Sequence, residues 1–210
     1  MPGQRIIEDA DFRGANLAGA DFRGVLFRGN GEIFFNDAVL RNADFTGSTF
    51  EQQLSFDNSD LTGTCFRDCV MKRGICLDDT CAHHAIFEGT MMAGMCCMMI
   101  DFTGANLRSA NLYWAVAAWA AFCDADLTRT EFQGADLKEA DFSGARLLQT
   151  HFGLDNLGGS TNLCGANLSS AIVEEAIFTG CLYSSQTQFP KGFDPDRHGM
   201  KYSVDGTWRP

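Results

Sequence analysis

The sequence predicts an all-β, four-sided solenoid of about eight to nine coils, and three observations carry that prediction. Large apolar residues recur every five positions, a small residue stands two places before most of them, and glycine closes many of the repeats. The period is unbroken from residue 85 to 157. There Phe87, Met92, Cys97, Phe102, Leu107, Leu112, Ala117 and Phe122 lead on to Leu127, Phe132, Leu137, Phe142, Leu147, Phe152 and Leu157.

A period of five suits neither ordinary element lying flat. At about 100° per residue a helix sends successive fifth residues to all sides, and a flat strand alternates their faces. Both apolar sets point inward only if the backbone turns a corner every five residues, so that four short sides close one coil. Stacked coils then pair their backbones at about 4.8 Å; the central Leu or Phe fills the interior and Ala fits where the walls approach. Gly at the corners, as at Gly104, Gly134 and Gly144, supplies the positive φ of a type II turn.

The triplets Ala15-Asn16-Leu17, Ala105-Asn106-Leu107, Ala125-Asp126-Leu127, Ala135-Asp136-Leu137 and Ala166-Asn167-Leu168 resemble the pentapeptide-repeat family, over roughly residues 10–183. The resemblance implies a right-handed quadrilateral β-solenoid, a pentapeptide-repeat β-helix. It says little about activity, because a fold does not carry one.

Elsewhere the centres change phase: 12 to 27, then 35 to 50, then 56 to 81, and finally 163 to 183. These steps predict a three-residue excursion near 29–32 and single extra residues near 51–54, 82–84 and 158–160. The blocks sum to a rod roughly 40 Å long. Residues 1–9 are expected to cap one end, 10–183 to form the solenoid, and 184–210 to cap the other. Pro190 and Pro195 stop strand pairing in that tail, which also carries Trp208.

Charge and composition bound the function. The 210 residues carry 16 basic and 27 acidic side chains, a net charge of −11 with 45% hydrophobic content. No basic stripe is left for phosphates, so direct nucleic-acid binding is not expected. There is no basic start leading into an apolar run and no stretch long enough to span a membrane. Nine cysteines, an odd count in a chain without an export signal, fit a reducing, cytoplasmic setting.

Cys76, Cys81, His83 and His84, or Cys65 with Cys69, are candidate metal ligands, but their spacing matches no common zinc motif. In this register Cys76, Cys81 and Cys69 point inward as small hydrophobes, Cys76 stacks on Cys97, and both histidines sit at an insertion. A packed rod offers little concavity for catalysis. No enzyme activity, cofactor or metal is expected.

Two surfaces stand out. Asp126, Glu131, Asp136 and Asp141 each precede a centre and ring one coil as an outward acidic belt that aids solubility. The family resemblance adds another possibility, since some relatives imitate duplex DNA and protect a type II topoisomerase, DNA gyrase. Those relatives pair through C-terminal segments and carry long loops, whereas this tail is polar and proline-broken and the insertions are short. The second surface is apolar. Stacking by about twenty residues places Ile75, Leu77, Cys96, Met98, Met99, Val116, Ala118 and Trp119 outward on one side, with Tyr113 and Trp114 around the corner and Asp136, Lys138 and Glu139 as a charged border. Apolar area with a polar rim marks contact with another protein. The leading expectation is therefore a noncatalytic interaction or scaffold module, using this patch for an unidentified protein partner or for self-association.

Overall fold

The computed structural model describes residues 4–204. The chain winds as a right-handed solenoid of about nine turns, with no helix among the described residues. Each coil has four sides, called faces 1 to 4 in chain order. Face 1 begins with β1 (Ile6–Glu8), β2 (Leu26–Arg28), β4 (Thr49–Phe50) and β6 (Val70–Met71), and face 2 contains β3 (Ile33–Phe34), β5 (Leu54–Ser55) and β7 (Ile75–Cys76). Further up the rod the strands shrink to single parallel bridges, such as Asn106↔Asp126 and Ala121↔Asp141. At the far end β8 (Leu182–Tyr183) pairs with β9 (Lys201–Tyr202).

The five-residue period builds this geometry directly. Central side chains such as Phe45, Leu107, Phe122 and Phe142 are fully buried in one continuous core. Phenylalanines of successive coils stack nearly face to face, Phe45 on Phe66 at 4.9 Å and Phe122 on Phe142 at 4.9 Å. Two positions earlier most residues are Ala or a short hydroxyl, although Leu54, Ile75, Met95 and Ile100 are also buried there. Threonines there donate to the carbonyl of a neighbouring coil, as Thr130 Oγ1 does to Leu107 O and Thr150 Oγ1 to Leu127 O, both at 2.7 Å. A buried hydroxyl is thus satisfied rather than stranded.

Asp or Asn before the centre has a local task. Its Oδ1 accepts the backbone N–H two residues on, at 2.9 Å from Thr103 to Asp101, 3.1 Å from Arg108 to Asn106 and 2.8 Å from Ser143 to Asp141. This Asx bond holds the corner. The next residue takes left-handed φ, and sixteen non-glycine residues adopt such a φ among the described residues.

The register departs from the sequence reading in two places. The extra residue expected near 82–84 lies instead between Met71 and β7, so Leu77 and Ala82 are the centres and His83 and His84 sit in an ordinary side and corner. A slip of one residue exchanges inside and outside. Ile75 and Leu77, expected on the surface, are 2% and 0% exposed, while Cys76 and Cys81, expected inside, are half-buried on the outer wall. Cys76 accordingly lies in register with Cys96, not Cys97. Cys69 does point inward. The second departure follows Phe152. The next centre is Leu163, and Leu157, expected inside, is 80% exposed on a loop over 153–160.

Residues 6–8, expected as a cap, are the first side of the first coil, since β1 pairs with β2. The tail closes the opposite end with aromatic rings: Phe189 stacks on Phe193, and Phe193 on His198. Trp208 lies outside the described residues.

Candidate functional site

Face 2 carries the candidate surface. Its outer wall runs Cys76, Cys96, Val116 and Asp136 in bridged register. Met98 and Ala118 lie on the other side of the centres, and Met99 and Trp119 form the corner beyond. Met99 is 52% exposed, Trp119 50%, Trp114 46% and Val116 40%. Met98, Cys96 and Tyr113 are half-buried, and Ala118 is covered. The surface is therefore the expected patch without Ile75 and Leu77. Those two form its floor.

Three of these residues occupy the left-handed corner, Met99 and Trp114 at φ 57° and Trp119 at φ 59°. A residue with a Cβ pays roughly 1–2 kcal/mol there. Each indole is also tethered. Trp119 Nε1 donates to Glu139 Oε2 at 3.0 Å and Trp114 Nε1 to Asp155 Oδ2 at 2.6 Å. Both rings are held outward in fixed orientations.

The loop over 153–160 completes the surface. Tyr113 OH donates to Asn156 Oδ1 at 2.8 Å and accepts from Asn156 N at 2.7 Å, spanning 43 residues. Gly134 makes the crossing possible, since a Cβ there would lie 2.4 Å from Trp114 Cδ1 and 3.0 Å from Asp155 Oδ2. The Asp155 carboxyl is held below its ordinary range, chiefly by the Trp114 indole N–H and then by backbone N–H groups of the loop, against the opposing effect of burial. The sequence reading missed this loop by taking Leu157 as a centre. The signal was present: Asp155 stands where Ala is usual, and Gly158-Gly159 follows.

The thiols are quiet. Burial, and then the Asp78 carboxylate 3.3 Å away, push the Cys96 thiol up to about 11, and burial raises Cys76. Among the described residues no group of three or more His, Cys, Asp or Glu is arranged to hold a metal; His83 Nε2 instead meets Asp101 Oδ2 at 2.6 Å. Concavities on the rod are shallow. One of about 370 Å³ on face 4 is lined by Arg108, Arg129, Arg146, Glu174 and Glu175 among others.

The acidic belt projects outward as expected, yet most of its carboxylates are engaged. Asp126 accepts from Thr128 N and Oγ1 and from Arg108; Asp136 accepts from Lys138 N and Asn162 Nδ2; Asp141 accepts from Ser143 N and Asn167 Nδ2. Glu131 stands exposed.

The pentapeptide repeats family matches in eight copies, over residues 8–29, 35–73 and 118–152. This chain is a pentapeptide-repeat protein. Among solved structures, the pentapeptide-repeat protein HetL from the cyanobacterium Nostoc sp. strain PCC 7120, described as involved in heterocyst differentiation regulation, aligns at 20% identity. The alignment covers 97% of this chain and 89% of HetL, with a TM-score of 0.63. Full-length QnrB1, a plasmid-mediated fluoroquinolone resistance protein, aligns at 17% identity over 96% of this chain and 94% of its own, with a TM-score of 0.52. At these identities the likeness is one of fold. A search of curated proteins finds no match. The family's repeat explains why the corners of this pentapeptide-repeat rod admit many residue types; it does not explain two tryptophans and a methionine gathered on the borders of one face.

Proposed function

We propose that this pentapeptide-repeat protein is a noncatalytic interaction module that binds another protein through face 2. The observation that carries the reading is the rigid display of Trp114, Trp119 and Met99 at left-handed corners, with both indoles tethered to carboxylates. The left-handed corner itself is common to the repeat; what distinguishes these three positions is the large, exposed apolar side chain that each carries there. Preorganised aromatic anchors lose little entropy on binding.

The rim identifies the complementary chemistry. Asp78, Asp79, Glu139 and Asp155 border the apolar area, with Lys138 paired to Glu139. A second copy of the same face would bring like charges together, so this surface suits a partner that sets Arg or Lys around apolar side chains. No membrane contact is proposed; no helix among the described residues is long and apolar enough to cross one. The alternative, an acidic belt imitating duplex phosphates for a topoisomerase, would rely on carboxylates of which Asp126, Asp136 and Asp141 already serve corners and neighbouring coils.

The test is capture by the immobilised protein with mass spectrometry, comparing the parent, Trp119→Asp, and Ile172→Asp on face 4. Partners retained by Ile172→Asp and lost by Trp119→Asp, with an unchanged circular dichroism spectrum, support the reading. Identical capture by all three proteins overturns it.

A further inference from the structure

The two ends of the rod are finished differently. Aromatic rings cover the C-terminal end. At the other end, Ile7, Phe12 and Leu17 are only half-buried, although their counterparts one coil later, Phe27, Phe35 and Leu40, are fully buried. The backbone is open there as well. Val39 N donates to Ala15 O and Phe34 N to Ala10 O, but the equivalent N–H groups of Asn16 and Asp11 have no partner among the described residues. Among the described residues only face 4 has a cover, Arg5, whose guanidinium donates to Asp21 O at 3.1 Å and Arg23 O at 2.6 Å. An unpaired sheet edge beside half-buried apolar side chains is a template for another strand.

Charge singles out the same coil. Residues 5–28 carry four arginines and four acidic residues, so the entire net charge of −11 resides on the rest of the chain. The end presents both signs side by side, Arg13 with Asp11 at 2.6 Å and Arg23 with Asp21 at 2.8 Å. A surface bearing adjacent opposite charges complements its own copy across a two-fold axis, because each Arg then faces an Asp.

We propose that two copies of this chain associate end to end through the first coil. Ile7, Phe12 and Leu17 form the seam, the free edges at Asp11 and Asn16 pair across it, and the Arg13–Asp11 and Arg23–Asp21 pairs exchange partners. The contact is separate from the face 2 surface and does not depend on it, leaving that surface free in both copies.

Sedimentation equilibrium of the full chain, without an N-terminal tag, tests this over a concentration series. The expected result is a monomer–dimer equilibrium weakened by added salt. Asn16→Pro, which removes an N–H with no partner among the described residues, and Leu17→Lys should each raise the dissociation constant at least about tenfold, whereas Trp119→Asp should leave it unchanged. A monomer at every concentration overturns the proposal; so does a dimer that Trp119→Asp dissociates and Asn16→Pro does not. If either end variant fails to fold, hydrogen exchange on the unaltered chain decides. Protection of the Asp11 and Asn16 amides should rise with protein concentration. Protection independent of concentration would mean that residues 1–3 of the same chain cover the end, which overturns the proposal, as does no protection.

Discussion

Placing a carboxylate at Leu77 and at Cys76 in turn gives opposite outcomes in the two possible registers. Leu77 is fully buried as a centre and Cys76 is half-buried on the outer wall. Leu77→Asp gives up about 1.5–3 kcal/mol of apolar burial. It also places in the core a carboxyl that stays neutral at pH 7 only if its pKa rises roughly three units, costing about 4 kcal/mol more at 1.36 kcal/mol per unit. The total, roughly 5–7 kcal/mol, is comparable to the whole stability of a typical domain. Cys76→Asp should cost within about 1 kcal/mol, as outward substitutions do. In the Leu77→Asp variant the folded-state pKa of the introduced carboxyl is raised, so the unfolded chain binds fewer protons between the two pKa values and stability falls as pH rises. The ionisation part of the penalty is absent below about pH 4, the unfolded value, and grows above it. Urea denaturation followed by circular dichroism at pH 4 and pH 7 measures both effects. A stable, pH-insensitive Leu77→Asp beside an unfolded Cys76→Asp would refute the register and, with it, the floor of the face 2 surface.

The Asx bonds give a gentler test. Burial acts to raise the Asp126 carboxyl, but hydrogen bonds from Thr128 and Arg108 outweigh it and hold it below the usual range; its contribution is present above about pH 4 and lost as pH falls through the folded value. Asp126→Asn, which keeps an acceptor for Thr128 N, should be nearly neutral, and Asp126→Ala should cost about 1 kcal/mol in denaturant titrations. The cysteines are expected to divide by position. In the native protein, iodoacetamide with peptide mass mapping should spare Cys69, Cys97, Cys164 and Cys181, which are buried; burial pushes Cys69 up to about 12 and raises Cys97 well above the ordinary value. Labelling of Cys97 before Cys76 would contradict the packing.

The fivefold spacing was sufficient to read the solenoid because it leaves the backbone one way to bury every centre. Phe122, Leu127, Phe132 and Phe142 lie where that argument places them. The surface around Trp119, Met99 and Val116 was legible for the same reason, since twenty-residue stacking fixes which side chains share a face. Ile75 and Leu77 were misplaced because the segment 71–82 has apolar or small residues in both candidate registers: Met71, Cys76 and Cys81 in one, Leu77 and Ala82 in the other. Only backbone pairing with Ser55 and Cys96 chooses between them.

What the sequence determined by itself, then, is the set of properties that repeat: coil, core, corner and the facing of residues within an unbroken register. Tertiary structure decided what occurs once. It seated the loop over 153–160 against Tyr113 and Trp114 through contacts more than forty residues apart. It also left Ile7, Phe12 and Leu17 of the first coil half-buried while aromatic rings closed the last. A periodic pattern encodes interactions between neighbours in the repeat, whereas an insertion or an end has no second instance from which its position can be inferred.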